Sequence, residues 1–386
     1  MRLLISIFSF WILACAGTAS GQTRVIHSDI LNEDRTIQVM LPASYDWAPD
    51  RSYPVLFLLD GESQFGHTKG SVEFLAEQGE IPELIVVAIT STVRIRDYTQ
   101  TDWSSHWIGG GGAERFRTFL SEELIPQIEV EYRANGSRIL IGHSAGGQFA
   151  LFSLSSQPSL FHAYIALSPS LDWDDNLPQR ALAESFERTD SVPAFLYFAW
   201  SDDSGRALED DLALAETLRT ASPPDLRWVA KGYPEETHGS IPLVAQIDAL
   251  RELFRGYRFR DDAFAGGLAA AEAHFADLSK TVGYSIPVPE NVMNGLGYDA
   301  LHDNRVQEAI EIFRRNIEQN PNSANAYDSI TDAYEEAAMW AEAAASSKRA
   351  AELAATCNHP SLHYFVEHAA KAAERYALES GNSNSR

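Results

Sequence analysis

Between residues 54 and 234, short apolar runs alternate with longer segments whose apolar residues recur every three or four positions. The runs are PVLFLLDG (54–61), PELIVVAIT (82–90), RILIGHS (138–144), AYIALSP (163–169), PAFLYFAW (193–200) and LRWVAKGYP (226–234). Each is continuous rather than alternating and is bounded by Gly, Pro or Asp, the pattern of strands covered by helices on both faces. The intervening AERFRTFLSEELIPQIEVEYR (113–133) and DDLALAETLRTA (210–221) have helical spacing. Strand and helix in alternation predict an α/β domain around a mostly parallel sheet. The leading TRVIHSDILNEDRTIQVMLP alternates about a central turn and predicts an antiparallel hairpin at the sheet edge.

Past about Arg258 the pattern changes to alanine-rich helix with few β-branched residues. Residues 259–290 read as a connecting segment that ends in the Pro-containing SIPVPEN. From 291 to 386 a period of 34 emerges, and Leu296, Gly297, Ala300, Ala309, Phe313 and Pro321 fall on the Leu, Gly, aromatic, Ala, Phe and Pro places of a tetratricopeptide repeat. Tyr327, Ile330, Tyr334, Ala343 and Ala350 follow at matching offsets, although Ala300 stands where tyrosine is usual and Thr331 where glycine is. Two repeats are fewer than a free-standing array needs, so this all-α region is expected to pack on the preceding domain or bind a protein partner. A plain helical hairpin that covers apolar surface is the competing reading.

The length of 386 residues suits two domains, 22–258 and 291–386, joined by the connecting segment. A formal net charge of −24 works against nucleic acid, whose phosphates need a basic footprint. The first residues, MRLLISIFSFWILACAGTASGQ, run basic, apolar and then small, the order of an export signal over 1–21 with cleavage before Gln22. The protein is therefore expected to be exported, periplasmic or secreted; acylation of Cys15 and tethering to a membrane is the rival outcome. Cleavage at Gln22 would leave Cys357 as the sole thiol, excluding an internal disulfide. No later apolar run is long enough to cross a bilayer, no cysteine–histidine cluster has zinc spacing, and no metal or cofactor is expected.

The run RILIGHSAGG ends a strand in Gly142-His143-Ser144-Ala145-Gly146 and leads into the helical QFALFSL. A turn this sharp tolerates only small flanking residues and projects its serine into the open, the geometry of a Gly-x-Ser-x-Gly nucleophile elbow. A serine hydroxyl needs a base, and the base an orienting acid, in the chain order Ser, Asp or Glu, His. His238, in GYPEETHGSIP, follows the last β-rich run and is the expected general base. The acid should follow PAFLYFAW, in Ser201-Asp202-Asp203-Ser204-Gly205; Asp203 is favoured because a tight turn after a strand takes two or three residues, with Asp202 and Glu209 open. The oxyanion is expected to meet the backbone N–H of Ala145 and one from the loop after LFLLDGESQFG, near Gly61 and Glu62. Trp103, Trp107 and Trp173 lie in loops at the carboxyl ends of strands, where ligands bind in open α/β sheets, and are candidate substrate contacts. Arg94 and Arg96 read either as holders of an anionic group or as solvated charges.

YPVLFLLDGE, RDYTQT, GGAERFRTFLSEELIPQIEVEYR, ILIGHSAGG, ALSPSLDWDD and THGSIP together resemble the Putative esterase family of α/β hydrolases. That family takes in enterochelin-type siderophore esterases, the esterase D or S-formylglutathione hydrolase group, and feruloyl and acetyl esterases. The resemblance covers about 24–257, and some bacterial members carry tetratricopeptide-like tails. It implies an α/β-hydrolase fold, a nucleophile at Ser144, a histidine at His238 and an acid in the Asp202-Asp203 pair. Many members have a glycine before the acid where this chain has Trp200, which leaves the register of the acid open. The expected activity is hydrolysis of small-molecule carboxylic esters by an exported serine esterase. The alternative is a hydrolase-fold scaffold whose helical repeats bind a protein.

Overall fold

The computed structural model describes residues 22–105, 108–259 and 266–383. They fall into two compact units, one of residues 22–42 and 51–292, the other of residues 43–50 and 293–383. The export signal expected at 1–21, Cys15 included, lies outside the described residues.

The larger unit is built on strands β1 (Gln22–Ser28), β2 (Glu33–Met40), β3 (Tyr53–Leu58), β4 (Ile85–Ile89), β5 (Ala134–His143), β6 (Ala163–Leu167), β7 (Phe195–Trp200) and β8 (Arg227–Gly232). They form one sheet in the order β1-β2-β4-β3-β5-β6-β7-β8. The β1–β2 hairpin joins antiparallel, and every pairing from β4 through β8 is parallel. Helices α1 (Gly61–Glu77), α2 (Arg94–Tyr98), α3 (Ala113–Phe119), α4 (Ile125–Glu131), α5 (Ala145–Ser156), α6 (Leu177–Arg188), α7 (Arg206–Ala221), α8 (Ile241–Leu253) and α9 (Gly267–Val282) flank it. Leu56, Phe57, Val86, Val87, Leu140, Ile165 and Phe198 are fully buried, which is why these runs carry no polar alternation.

Three segments depart from the sequence pattern. β5 begins at Ala134, because a register shift between Tyr53 and Val55 lets Ala134 pair with Tyr53 across the polar Asn135-Gly136. The helix expected over 113–133 is α3 and α4 joined by a π turn at Leu120–Leu124. Pro126 lies just beyond that turn; it has no N–H to donate and its ring crowds the carbonyl of Glu122, so the wider turn opens the hydrogen-bond ladder where it must be open. The connecting segment contains α9, which buries Ala271, Phe275, Leu278 and Val282 along one face.

The smaller unit stacks helices α10 (Glu290–His302), α11 (Val306–Gln319), α12 (Ala324–Glu336), α13 (Trp340–Thr356) and α14 (Leu362–Ser383). The pair α12–α13 repeats α10–α11 at an offset of 34 residues, from Glu290 to Ala324. Gly297 lets α10 close on α11, since a Cβ there would sit 2.3 Å from the Phe313 ring. His368 of α14 joins α12 through Asp328 (Nδ1–Oδ1 2.6 Å), with Asp332 and Glu335 of α12 at 3.7 and 4.0 Å from its Nε2. Tyr298 of α10 donates to Asp332 at 2.8 Å, and Tyr364 lies beside His368 on α14.

The hydrogen bond to Asp328 raises the His368 pKa above its ordinary value, against burial, while burial pushes the Asp332 carboxyl up to about 6. A raised histidine pKa contributes stability below its unfolded value of about 6.5, and that contribution is lost as pH rises through the folded value. The Asp332 contribution has the same sign but is lost at lower pH, between its unfolded value and about 6. Thermal unfolding at about pH 6 and about pH 8.5 is therefore expected to show a larger fall in stability for the wild type than for His368→Gln. Equal falls in the two proteins would refute the pairing.

Candidate active site

Ser144 sits between the end of β5 and the start of α5 at φ 58° and ψ −120°, a conformation that L-residues rarely adopt. Such strain persists only where surrounding bonds over-determine it. Here the Ser144 N–H donates to the Leu167 carbonyl at 2.9 Å, and the Ser144 carbonyl accepts from Gln148 N–H at 2.9 Å and Ser170 N–H at 3.2 Å. Crowding supplies the rest. A Cβ on Gly142 would meet the Gly146 carbonyl oxygen at 2.1 Å, and one on Gly147 would lie 3.1 Å from Pro169. A serine at a helix N-cap ordinarily bonds the first turn through its side chain. Ser144 makes no such bond, and its Oγ lies 3.5 Å from the Ser170 Oγ.

His238 lies in the loop between β8 and α8, which Ser240 ties internally by accepting from Thr237 N–H at 2.9 Å and donating to Glu236 at 2.6 Å. His143, the residue before Ser144, donates from Nε2 to the His238 carbonyl at 2.7 Å, and the two rings are 4.6 Å apart. The His238 loop is thereby held against the turn at Ser144. The loop after β7 approaches it too, because Asp202 N–H donates to the Glu236 carbonyl at 2.9 Å. The Asp203 carboxylate accepts from Ser201 N–H at 3.2 Å and Ser201 Oγ at 3.0 Å, while Glu209 is exposed in the first turn of α7. Among the described residues, the His238 imidazole makes no ion pair with Asp202, Asp203 or Glu209. Trp200, where a glycine was expected, lays its ring over Gly232 of the next strand; a Cβ at Gly232 would come within 2.9 Å of it.

The first N–H groups of a helix lack intrahelical acceptors and lie at the positive end of its dipole. Ala145 is the first residue of α5 and Glu62 the second of α1. The two helix starts abut, since a Cβ on Gly146 would lie 3.3 Å from Asp60 Oδ2 and 3.5 Å from Leu59. The Glu62 carboxylate is turned to Ser91, accepting from its N–H at 3.0 Å and from its hydroxyl, so it is the backbone of Glu62 that remains for an oxyanion. Asp60 is buried and takes a two-pronged contact from Arg94 at 2.8 and 3.1 Å. Burial raises the Asp60 pKa even against that guanidinium. Arg94 also donates to the His143 carbonyl at 2.8 Å.

Those contacts correct the reading of the two arginines: Arg94 is engaged by Asp60 and the elbow, and Arg96 by Glu33 and Asp97. Trp173 is buried and donates to Thr101 Oγ1 at 3.1 Å. Trp103, half-buried, packs against it at a tilt of 55° with ring centroids 5.1 Å apart, and Trp107 lies outside the described residues. Sequence reasoning passed over His143, Ser170 and the Asp60–Arg94 pair. His143 stood inside the motif but read as filler, and no spacing rule connects residues 60, 94 and 143. Asp211 of α7 was also missed: burial, with Asp203 and Asp210 nearby, pushes its carboxyl up to about 8. Away from this site, Asp332, Glu335 and His368 each bring one metal-ligating atom within 4.8 Å of the others, a grouping that no cysteine–histidine spacing would reveal.

A strained serine between a parallel strand and the helix that follows is how α/β hydrolases present a nucleophile, and the sheet order and crossover helices agree with that class. The chain belongs to the esterase family whose model is described as "Putative esterase", which matches residues 28–236. Over 163 residues it is 35% identical to the ferri-bacillibactin esterase BesA of Bacillus subtilis (strain 168), a match covering 37% of this chain and 56% of that protein. Over 164 residues it is 30% identical to a siderophore enterobactin esterase of Emericella nidulans, covering 36% and 54% respectively. The chain thus spans about half the length of the curated relatives it matches. Among solved structures, an IroE-like serine hydrolase from Shewanella oneidensis superposes with a TM-score of 0.68 at 29% identity, covering 76% of this chain and 97% of that one. No helix among the described residues is long and apolar enough to cross a membrane.

Proposed function

We propose that this protein is an exported serine esterase acting on carboxylic esters, with a siderophore ester as its substrate class. The observation that carries the reading is the Ser144 hydroxyl, held in a strained turn and withheld from capping its own helix. In the proposed reaction Ser144 Oγ turns from Ser170 to the His238 imidazole, loses its proton there and attacks the ester carbonyl. Hydrogen bonds of this kind are often unformed before substrate binds. The oxyanion takes the N–H groups of Ala145 and Glu62, a reading supported by their places in the first turns of two helices. His238 then returns the proton to the leaving alcohol, and water hydrolyses the acyl-enzyme. Asp203 is the proposed orienting acid, with Asp202 next to it in the loop that reaches the histidine loop through Glu236.

The names of the bacterial and fungal relatives support a siderophore ester over an acylated carbohydrate or simple acyl ester. Export is supported by the order of the first 21 residues. The 34-residue offset of the helix pairs supports a tetratricopeptide-like region that binds a protein partner. The chemistry is tested with purified protein on a triscatecholate trilactone siderophore, a feruloyl sugar, an acetylated sugar and p-nitrophenyl acetate side by side. The trilactone is expected to be the best substrate, with a phosphonate ester labelling Ser144. Preference for the sugar esters would overturn the substrate class, and labelling of another residue would overturn the nucleophile.

A further inference from the structure

His238 is exposed, lies in a loop, and has no carboxylate partner among the described residues. A base placed this way loses rate through small displacements, so whatever fixes its backbone matters to the reaction. His143 makes that contact, with Nε2 donating to the His238 carbonyl at 2.7 Å and the ring packed at 4.6 Å. His143 is itself anchored, because its own carbonyl accepts from Arg94 at 2.8 Å while Arg94 grips the buried Asp60 at 2.8 and 3.1 Å. Asp60 immediately precedes Gly61 and Glu62, the start of α1 that faces the elbow.

We propose that His143 is a positioning residue for the general base, and that Asp60, Arg94 and His143 join the oxyanion loop, the nucleophile elbow and the His238 loop into one hydrogen-bonded unit. The inference rests on the esterase reading above, in which His238 takes the serine proton. The unit requires a neutral donor at position 143. An imidazolium there would oppose the positive charge that His238 acquires in the transition state, since the rings are 4.6 Å apart. Burial and the neighbouring His238 hold the His143 pKa down to about 4, so the ring stays neutral across the range in which His238 works. Its proton must then reside on Nε2, because the acceptor opposite is a carbonyl.

Three variants test this in the full chain on p-nitrophenyl acetate, with the rate of phosphonate labelling at Ser144 as a second readout that needs no ester turnover. His143→Leu keeps the bulk and loses the donor, and is expected to lower kcat by about 10- to 100-fold with KM nearly unchanged, slowing labelling in parallel. His143→Gln places a neutral N–H at similar reach and is expected to restore most of the rate. His143→Lys keeps a donor but adds charge, and is expected to stay slow and to lower the pKa of the acidic limb of the kcat/KM profile. Should His143→Leu fail to fold, His143→Asn replaces it, its shorter amide falling short of the His238 carbonyl and its rate falling below that of His143→Gln. Wild-type rates in His143→Leu, or equal rates in the Gln and Asn variants, would overturn the positioning role. Failure of the wild type both to hydrolyse any ester and to label at Ser144 would instead overturn the esterase reading itself.

Discussion

Ser144→Ala is expected to lower kcat/KM for a small ester by about 10⁴-fold or more while leaving the melting transition nearly unchanged. The two halves of that expectation have separate physical causes. In the proposed reaction no acyl-enzyme forms without Oγ, and only binding and the proposed oxyanion donors at Ala145 and Glu62 remain to favour a direct attack by water. Stability, in contrast, hardly depends on the hydroxyl, whose one hydrogen-bond contact among the described residues is the 3.5 Å approach to Ser170. The turn is held by backbone bonds from Leu167, Gln148 and Ser170, which alanine retains. Steady-state kinetics and a thermal melt on the same preparation check both halves. Retention of wild-type hydrolysis would remove Ser144 from the mechanism.

Gly142→Ala is expected to be the more damaging change to the fold, costing more than about 3 kcal/mol and abolishing activity with it. The added methyl would meet the Gly146 oxygen at 2.1 Å, its carbon at 2.3 Å and the Gly147 nitrogen at 2.9 Å. All three atoms are backbone of the first turn of α5, so no side chain can swing aside to make room. Relief would require moving the helix start that carries Ala145, and so would disturb the proposed oxyanion site as well. Gly239→Ala, close to the proposed base, is the contrasting control, because its nearest neighbour would be Thr237 Oγ1 at 4.0 Å. Urea unfolding of the two variants checks the contrast; a wild-type midpoint for Gly142→Ala would show that the elbow tolerates what the geometry forbids.

The sharp turn at Ser144 was readable because much of what shapes it is local. Gly142 is a glycine for a reason contained within five residues, the backbone of Gly146 and Gly147, and a strand before and a helix after are written in the apolar pattern. The buried central strands are legible because burial on both faces leaves a continuous apolar run, and the edge hairpin because its residues alternate about a turn. The start of β5 was not, because a register shift against Tyr53 absorbs a stretch that reads as a turn. Nor was the burial of Trp173, whose packing depends on Thr101 and on Trp103, about seventy residues earlier in the chain.

By itself, then, the sequence determined the α/β framework and the sharp serine turn at the end of its fifth strand, both of which follow from short-range stereochemistry and the periodicity of burial. Only the tertiary structure decided that Arg94 pairs with Asp60 and the His143 carbonyl, that Trp173 is buried, and that His143 reaches the backbone of His238. Each of these depends on side chains from distant segments meeting in a buried or half-buried space. There an ionic or polar group must find its partner or bear the full cost of leaving water, and a linear sequence does not name the partner.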